Sequence, residues 1–190
     1  EFGEFWLIVC IGLIAMCALL RVVVLGICDV AALLRTRHGE DLAVSSDSFT
    51  DGVHFQWNTE SPRRVGARAL GSALSDLAAM GARPLGYTMA LAMPTRTNVV
   101  SSLQLVRGLI DAGVRWSCPL VGGNLTRARE ISMSLTVLGA LERGRALRRD
   151  GARLGARIFV TGVLGRAALA RARLEAGQNA IIPIPEPRLK

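Results

Sequence analysis

Residues 61–84, SPRRVGARALGSALSDLAAMGARP, constrain the fold more than any other stretch. Ser61 suits a helix N-cap, and Pro62 suits the first helical position, where its missing N–H costs nothing. Ala67, Leu70, Ala73, Leu74 and Leu77 recur at the spacing that gathers side chains on one helix face. Gly81 and Pro84 end the helix. Gly66, Gly71, Ala73 and Ala78 are small enough to let another element approach closely. A helix with one apolar stripe must bury it against a sheet or a second helix.

The flanking sequence supplies both. LGYTMALAMP (85–94) reads as a strand stopped by Pro94, and residues 98–114 as an amphipathic helix with Val99, Leu103, Val106 and Ile110 on one face. CPLVGGN (118–124) reads as a short buried strand running into a glycine pair, and EISMSLTVLGAL (130–141) alternates like a strand. Upstream, Val22–Ile27 reads as a strand, and LLRTRHGEDLAV (33–44) as a strand, a turn at His38–Gly39 and a second strand. Downstream, a basic turn (143–157) leads into RIFVTGVLG (157–165), read as a strand and a glycine turn. TGVLG lacks the Lys and the spacing of a phosphate loop. Residues 166–177 are helical by pattern, and the tail IIPIPEPRLK is extended. There is no internal repeat. Strands mixed with helices through antiparallel-type connections predict an α+β fold.

At 190 residues the chain can hold one ample core, or one domain and part of a second. The net charge of +8 would suit nucleic acid, but Lys occurs only at Lys190, and the Arg residues are scattered apart from a cluster at 143–157. A solvated basic face fits that distribution better than a nucleic-acid site, and anionic small molecules such as nucleotides remain suitable partners. Cys10, Cys17, Cys28 and Cys118 form no CxxC pair, so they read as reduced thiols of a cytosolic protein. FWLIVCIGLIAMCALL (5–20) is sixteen residues without a charge. That falls between a buried helix and the roughly 20 residues a membrane span needs. Glu1 and Glu4 stand where a secretory signal would be basic.

The polar groups concentrate in SSDSFTDGVHF (45–55), directly after EDLAV, which reads as a strand. Asp29 follows VVVLGIC, Asp47 follows DLAVSS, Gly122-Gly123-Asn124 follows CPLV, and Asp76 lies inside the apolar helix. A carboxylate on an apolar helix is costly unless paired or bound to a metal. Carboxylates converging from strand ends suit Mg²⁺, which in turn bridges nucleotide phosphates. The residues alone leave two readings open. Asp47 and Asp76 could form such a site, or cap turns and bond backbone. His54 and Arg149 could serve a ligand, or be a half-buried structural histidine and a solvated charge.

VSSDSFTDGVHF, ALGSALSDLAAMGARP, VGGNLTR and LRRDGARLGARIFVTGVLG together resemble, in order and spacing, the thiamine-monophosphate kinase family of the aminoimidazole-ribotide synthetase superfamily. The resemblance runs from about Gly3 to Leu189. It implies an N-terminal domain with a mixed sheet and helices on one side at 1–140, then the start of a second α/β domain at 141–190. It implies direct transfer of the ATP γ-phosphoryl group to thiamine phosphate, giving thiamine diphosphate and ADP, with Mg²⁺ as cofactor. The implied metal-binding residues are Asp29, Ser45, Ser46, Asp47, Asp76 and Asn124. Gly123, Asn124 and Arg149 match nucleotide contacts, and His54 a substrate contact. No covalent catalytic residue is implied. The family implies a cytoplasmic homodimer with paired N-terminal sheets, and it places 5–20 as a domain helix instead of a membrane span.

Departures from the family touch the metal motifs. GICDVAA stands where members have G-I-G-D-D-A-A, so Cys28 replaces a Gly and Val30 an Asp. GGNL stands for GGDT, with Asn124 for an Asp and Leu125 for a hydroxyl residue. Each lost carboxylate weakens the attraction for a divalent ion. The sequence also stops shortly after the second domain of the family begins. A relative without catalysis, kept as a dimerising or nucleotide-binding module, is the alternative to the kinase.

Overall fold

The computed structural model describes residues 23–25, 33–34, 36–148, 150–160, 162–181 and 183–184. The apolar run 5–20, Asp29, Val30, Arg149 and three of the four cysteines lie outside the described residues. Strands β1 (Val23–Leu25) and β2 (Leu33–Leu34) pair antiparallel as a small separate sheet. The main sheet holds β3 (Glu40–Thr50), β4 (Arg83–Met93), β5 (Leu120–Arg127) and β6 (Ser132–Glu142) in the order β3-β6-β4-β5. The β4–β5 pair is parallel and the other two are antiparallel. Helices α1 (Pro62–Met80) and α2 (Val99–Arg115) pack against one another, and α1 lies against β3, β6 and β4. A third helix, α3 (Arg166–Glu175), follows. The chain is α+β, with a mixed four-stranded sheet and two helices packed on one another beside it.

Helix α1 starts and ends where the sequence predicts. Ser61 is its N-cap in extended conformation, yet its hydroxyl caps nothing; its carbonyl instead accepts from Arg64 and Val65. Gly81 closes the helix in the left-handed region at φ 74°, and the Ala82 N–H reaches back to the Leu77 carbonyl. That conformation favours glycine because it has no Cβ to clash. In α2 the Asn98 side chain accepts from the N–H groups of Val100 and Ser101. The small residues in α1 do what their size suggests: a Cβ on Gly66 would sit 2.2 Å from the Leu105 carbonyl oxygen of α2. Gly108 of α2 lies equally close to the Arg63 carbonyl oxygen. Neither helix could hold its distance with a larger residue there.

The core lies between the sheet and these helices. Val65, Leu70, Leu74 and Leu77 of α1 meet Tyr87, Leu91, Met133, Leu135 and Val137 of the sheet, all essentially without exposure. Each fully buried large apolar side chain contributes about 1.5–3 kcal/mol. Cys118 is buried, and burial pushes its thiol up to about 12, so it stays protonated and unreactive. The Tyr87 hydroxyl has no hydrogen-bond partner among the described residues, and burial raises its pKa.

Three elements differ from expectation. Strand β3 does not stop before the polar cluster but runs on to Thr50, paired with β6 along its whole length. Ser–hydroxyl pairs on the open face, Ser46 with Thr136 at 3.1 Å and Ser48 with Ser134 at 3.0 Å, let polar residues stay in the ladder. Gly122, Gly123 and Asn124 belong to β5 instead of a turn, because β4 offers partners as far as Met93. Residues 157–160 form no strand; Ile158 and Phe159 are exposed, and no strand edge among the described residues meets them.

Candidate functional site

The pleat of β3 decides which side chains can cooperate. Alternate residues of a strand point to opposite faces. Ser45 faces the helices and donates a 2.5 Å hydrogen bond to Asp76 Oδ2 on α1. Asp47, two residues on, shares that face. Two acids and a hydroxyl that were 29 and 31 residues apart in sequence therefore lie on one side of the sheet near the last turns of α1. They are hard oxygen donors of the kind Mg²⁺ takes, and that ion is often held by only one or two carboxylates with water and phosphate completing its shell. Among the described residues no group of three or more His, Cys, Asp or Glu side chains gathers to hold a metal. The donor chemistry fits a magnesium ion shared with phosphates, and does not amount to a closed cage.

A groove of about 640 Å³ runs beside this pair, lined by Ala43, Ser45, Asp76, Leu77, Met80, Leu147, Arg148 and Asp150. The basic segment reaches it because the Leu147 N–H donates to the Met80 carbonyl at 3.1 Å, at the end of α1. Arg148 forms a two-bonded fork with Asp150, Nε to Oδ1 at 2.9 Å and Nη2 to Oδ2 at 2.8 Å. Arg149 itself lies outside the described residues, but both its neighbours line the groove.

Ser46 and Asn124 fall elsewhere. Ser46 is committed to Thr136 on the open face. The register Ser48–Ser134–Ala90–Asn124 puts Asn124 on that same open face, away from Asp76. Gly123 is in the row of Asp47, Leu135 and Met89, on the helix side, three strand spacings or ~14 Å from Asp47. A Cβ on Gly123 would sit 2.1 Å from the Met89 carbonyl oxygen, so only glycine fits and the backbone there is bare.

His54 lies in the turn after β3. Its N–H donates to the Thr50 carbonyl at 2.9 Å, and its Nδ1 accepts from the Thr50 N–H at 3.1 Å. That places the ring proton of the neutral imidazole on Nε2, and the residue is exposed. The ring also rests against Phe49, with centroids 5.3 Å apart. A second groove of about 640 Å³ opens here, between the turn and α3. The sequence pattern did not single out Arg68 and Glu60, which brace this turn from below. A lone Arg between the apolar positions of α1, with a Glu eight residues earlier, was the signal available.

The profile of the AIR synthase related proteins, N-terminal domain, matches residues 28–141. A thiamine-monophosphate kinase from Synechococcus elongatus is 41% identical over 137 residues, which is 72% of this chain and 42% of that relative. The crystal structure of thiamine-monophosphate kinase from Stenotrophomonas maltophilia K279a superposes with a TM-score of 0.80 at 40% identity, covering 89% of this chain and 53% of that one. AaThiL complexed with AMPPCP and TMP superposes at 0.71 with 30% identity, over 78% of this chain and 47% of the other. The chain thus spans about half the length of the relatives it matches.

Proposed function

The chain belongs to the AIR synthase related proteins through their N-terminal domain, and from that premise we propose that it serves a thiamine-phosphate kinase. ATP gives its γ-phosphoryl group to thiamine phosphate, and thiamine diphosphate and ADP leave. The observation that carries this is the Ser45–Asp76 contact beside Asp47, in a chain similar to thiamine-monophosphate kinases. Asp47, Asp76 and the Ser45 hydroxyl would hold Mg²⁺, with Asp29 and the backbone at Ser46 as further oxygen donors, and a bound ion would supply charge neutralisation at the phosphates. Arg149 and the bare backbone of Gly123 and Asn124 meet the nucleotide. His54 donates from Nε2 to the substrate. Positioning and charge neutralisation carry such transfers, and no covalent enzyme intermediate is required.

Residues 1–140 form the nucleotide-binding unit in this proposal, and 141–190 begin a second domain. The exposure of Leu154, Ile158, Phe159 and Leu164 supports that division, since such a run needs a cover. The open sheet face, with Leu42 and Val44 more than half exposed, supports pairing of two copies through their sheets. Among the described residues no helix is long and apolar enough to cross a membrane; we assign the reaction to the cytoplasm, where ATP is supplied.

Thermal unfolding with Mg²⁺ alone, ATP alone and both tests the proposal. A ligand at a hundred times its Kd stabilises by about 2.7 kcal/mol, or several degrees here. A shift that needs both ligands is expected. A cooperatively unfolding chain with no shift at millimolar ligand overturns the proposal. A second reading, a nucleotide-binding and dimerising module without turnover, is favoured by the placement of Asn124 away from Asp76. It predicts the same shift but no thiamine diphosphate.

A further inference from the structure

Arg68 is the only charged residue of α1 on its buried face, 9% exposed between Val65, Ala69 and Leu70, which have no exposure at all. A guanidinium taken out of water is costly unless paired, and an apolar side chain would serve packing alone as well or better. Here each of its terminal nitrogens is used toward the His54 turn. Nη1 bonds Glu60 Oε2 at 2.5 Å, and Nη2 bonds Glu60 Oε1 at 3.3 Å and the His54 carbonyl oxygen at 3.0 Å. Glu60 Oε1 in turn accepts the Gln56 N–H at 2.9 Å, so the pair spans both ends of the segment 54–60. The bonds from Thr50 fix the imidazole from above, and those from Arg68 fix its backbone from below.

We propose that Arg68, clamped to Glu60, is a positioning residue that holds His54 with its Nε2–H directed into the groove beside α3. That groove is also lined by the bases Arg64 and Arg171, the acids Glu60 and Glu175, and neutral polar residues including Gln56 and Gln178. The inference rests on the assignment of His54 as a substrate contact. It adds that the orientation of His54 is set by a buried ion pair and not by the turn alone. A flexible turn would lose affinity to ordering each time a ligand bound; a braced one does not.

Amide exchange and imidazole nitrogen spectra of the chain test it. Thr50 reports the bond to His54 Nδ1, Leu135 reports the core, and His38, the only other histidine, is the internal control. Arg68→Met is expected to speed exchange at Thr50 about tenfold more than at Leu135, since one hydrogen bond and its local opening are at stake. The His54 ring signals should move toward those of His38. Arg68→Lys keeps the charge but cannot span Glu60 and the His54 carbonyl together, so it should give a smaller effect of the same kind; it also serves if the Met variant fails to fold. Equal acceleration at Thr50 and Leu135, or unchanged Thr50 and His54 signals, overturns the proposal by reducing Arg68 to a packing role. Titrating the unaltered chain with thiamine phosphate separates the two ideas. Absence of any change at His54 removes the substrate assignment, while the exchange data still decide the clamp.

Discussion

The two faces of the four-stranded sheet share every backbone hydrogen bond and almost nothing else. On the helix side Tyr87, Leu91, Met133, Leu135 and Val137 are each at most 1% exposed. On the other, Ser46, Ser48, Ser134, Thr136, Thr88, Ala90 and Asn124 form a surface of hydroxyls and small side chains. The run SSDS at 45–48 is cut between them. Ser45 and Asp47 go to the helix side with Asp76, while Ser46 and Ser48 go to the hydroxyl pairs with Thr136 and Ser134. A cluster that is dense in sequence is therefore two half-clusters about one sheet thickness apart. The chemistry belongs to residues that alternate, not to residues that adjoin.

The strongest way to break this contrast is to compare neighbours on β6. Leu135→Ala empties a position with no exposure between Asp47 and Met89 of the flanking strands, and should cost about 2–5 kcal/mol in urea unfolding. Thr136→Ala, one residue on, removes one half-exposed hydroxyl pair and should cost no more than about 1 kcal/mol. Similar costs for the two would mean that the open face is covered in solution, as pairing with a second copy would cover it.

The next effect sharpens the division at the site. Asp76→Asn should abolish the unfolding shift that requires Mg²⁺ and ATP together, a loss of about 2.7 kcal/mol at a hundredfold excess over Kd. It should leave the stability without ligands nearly unchanged, because Asp76 is exposed and among the described residues is bonded through Ser45 alone. Asn124→Ala should keep most of the shift, since its side chain is on the far face. Loss in both variants would show that the open face of a second copy completes the site, and would join the two faces into one functional surface.

The sequence was most legible where local chemistry is decisive. Helix α1 is readable from Ser61, Pro62 and Gly81, and the extent of α2 from its amphipathic pattern, because caps and periodicity act within a few residues; the buried face of α2 is Leu105, Val106, Leu109 and Ala112, while Val99 of the expected stripe is exposed. The alternation of 130–141 predicts β6 for the same reason. The length of β3 and the strand character of Gly122–Asn124 were not legible, because both depend on a partner strand that supplies hydrogen bonds from far along the chain. Asp76 was visible as an acid in an apolar helix, and the family resemblance put Ser45 in the same site, but the residue pattern alone did not pair the two across 31 residues. Arg68 escaped because an Arg in a helix is usually solvated, and only the folded turn shows what it bonds. Residues 157–160 carry a strand-like pattern that finds no neighbour among the described residues.

The smallest effect tests the Glu40–Arg83 pair at the start of β3. Glu40 accepts the Arg37 N–H at 2.9 Å and meets Arg83 Nη2 at 3.1 Å. Its pKa is lowered from the usual 4.5, first by the Arg37 backbone bond and, against some opposing desolvation, by Arg83. A carboxylate with a depressed folded-state pKa stabilises above its unfolded value, and that contribution is lost as pH falls through the folded value. Glu40→Gln should therefore be less stable than the parent chain at neutral pH and match it once pH has fallen through the lowered folded-state pKa of the carboxylate. Urea midpoints at the two pH values measure the difference. The bond from the Arg37 N–H joins the strand to the turn at His38–Gly39, and the bond from Arg83 joins it to β4. A variant that loses stability equally at both pH values would mean that Glu40 acts through packing of its stem. A difference confined to neutral pH would assign the effect to charge, beside an open face on which Ser46 and Ser48 meet Thr136 and Ser134 through neutral hydroxyls.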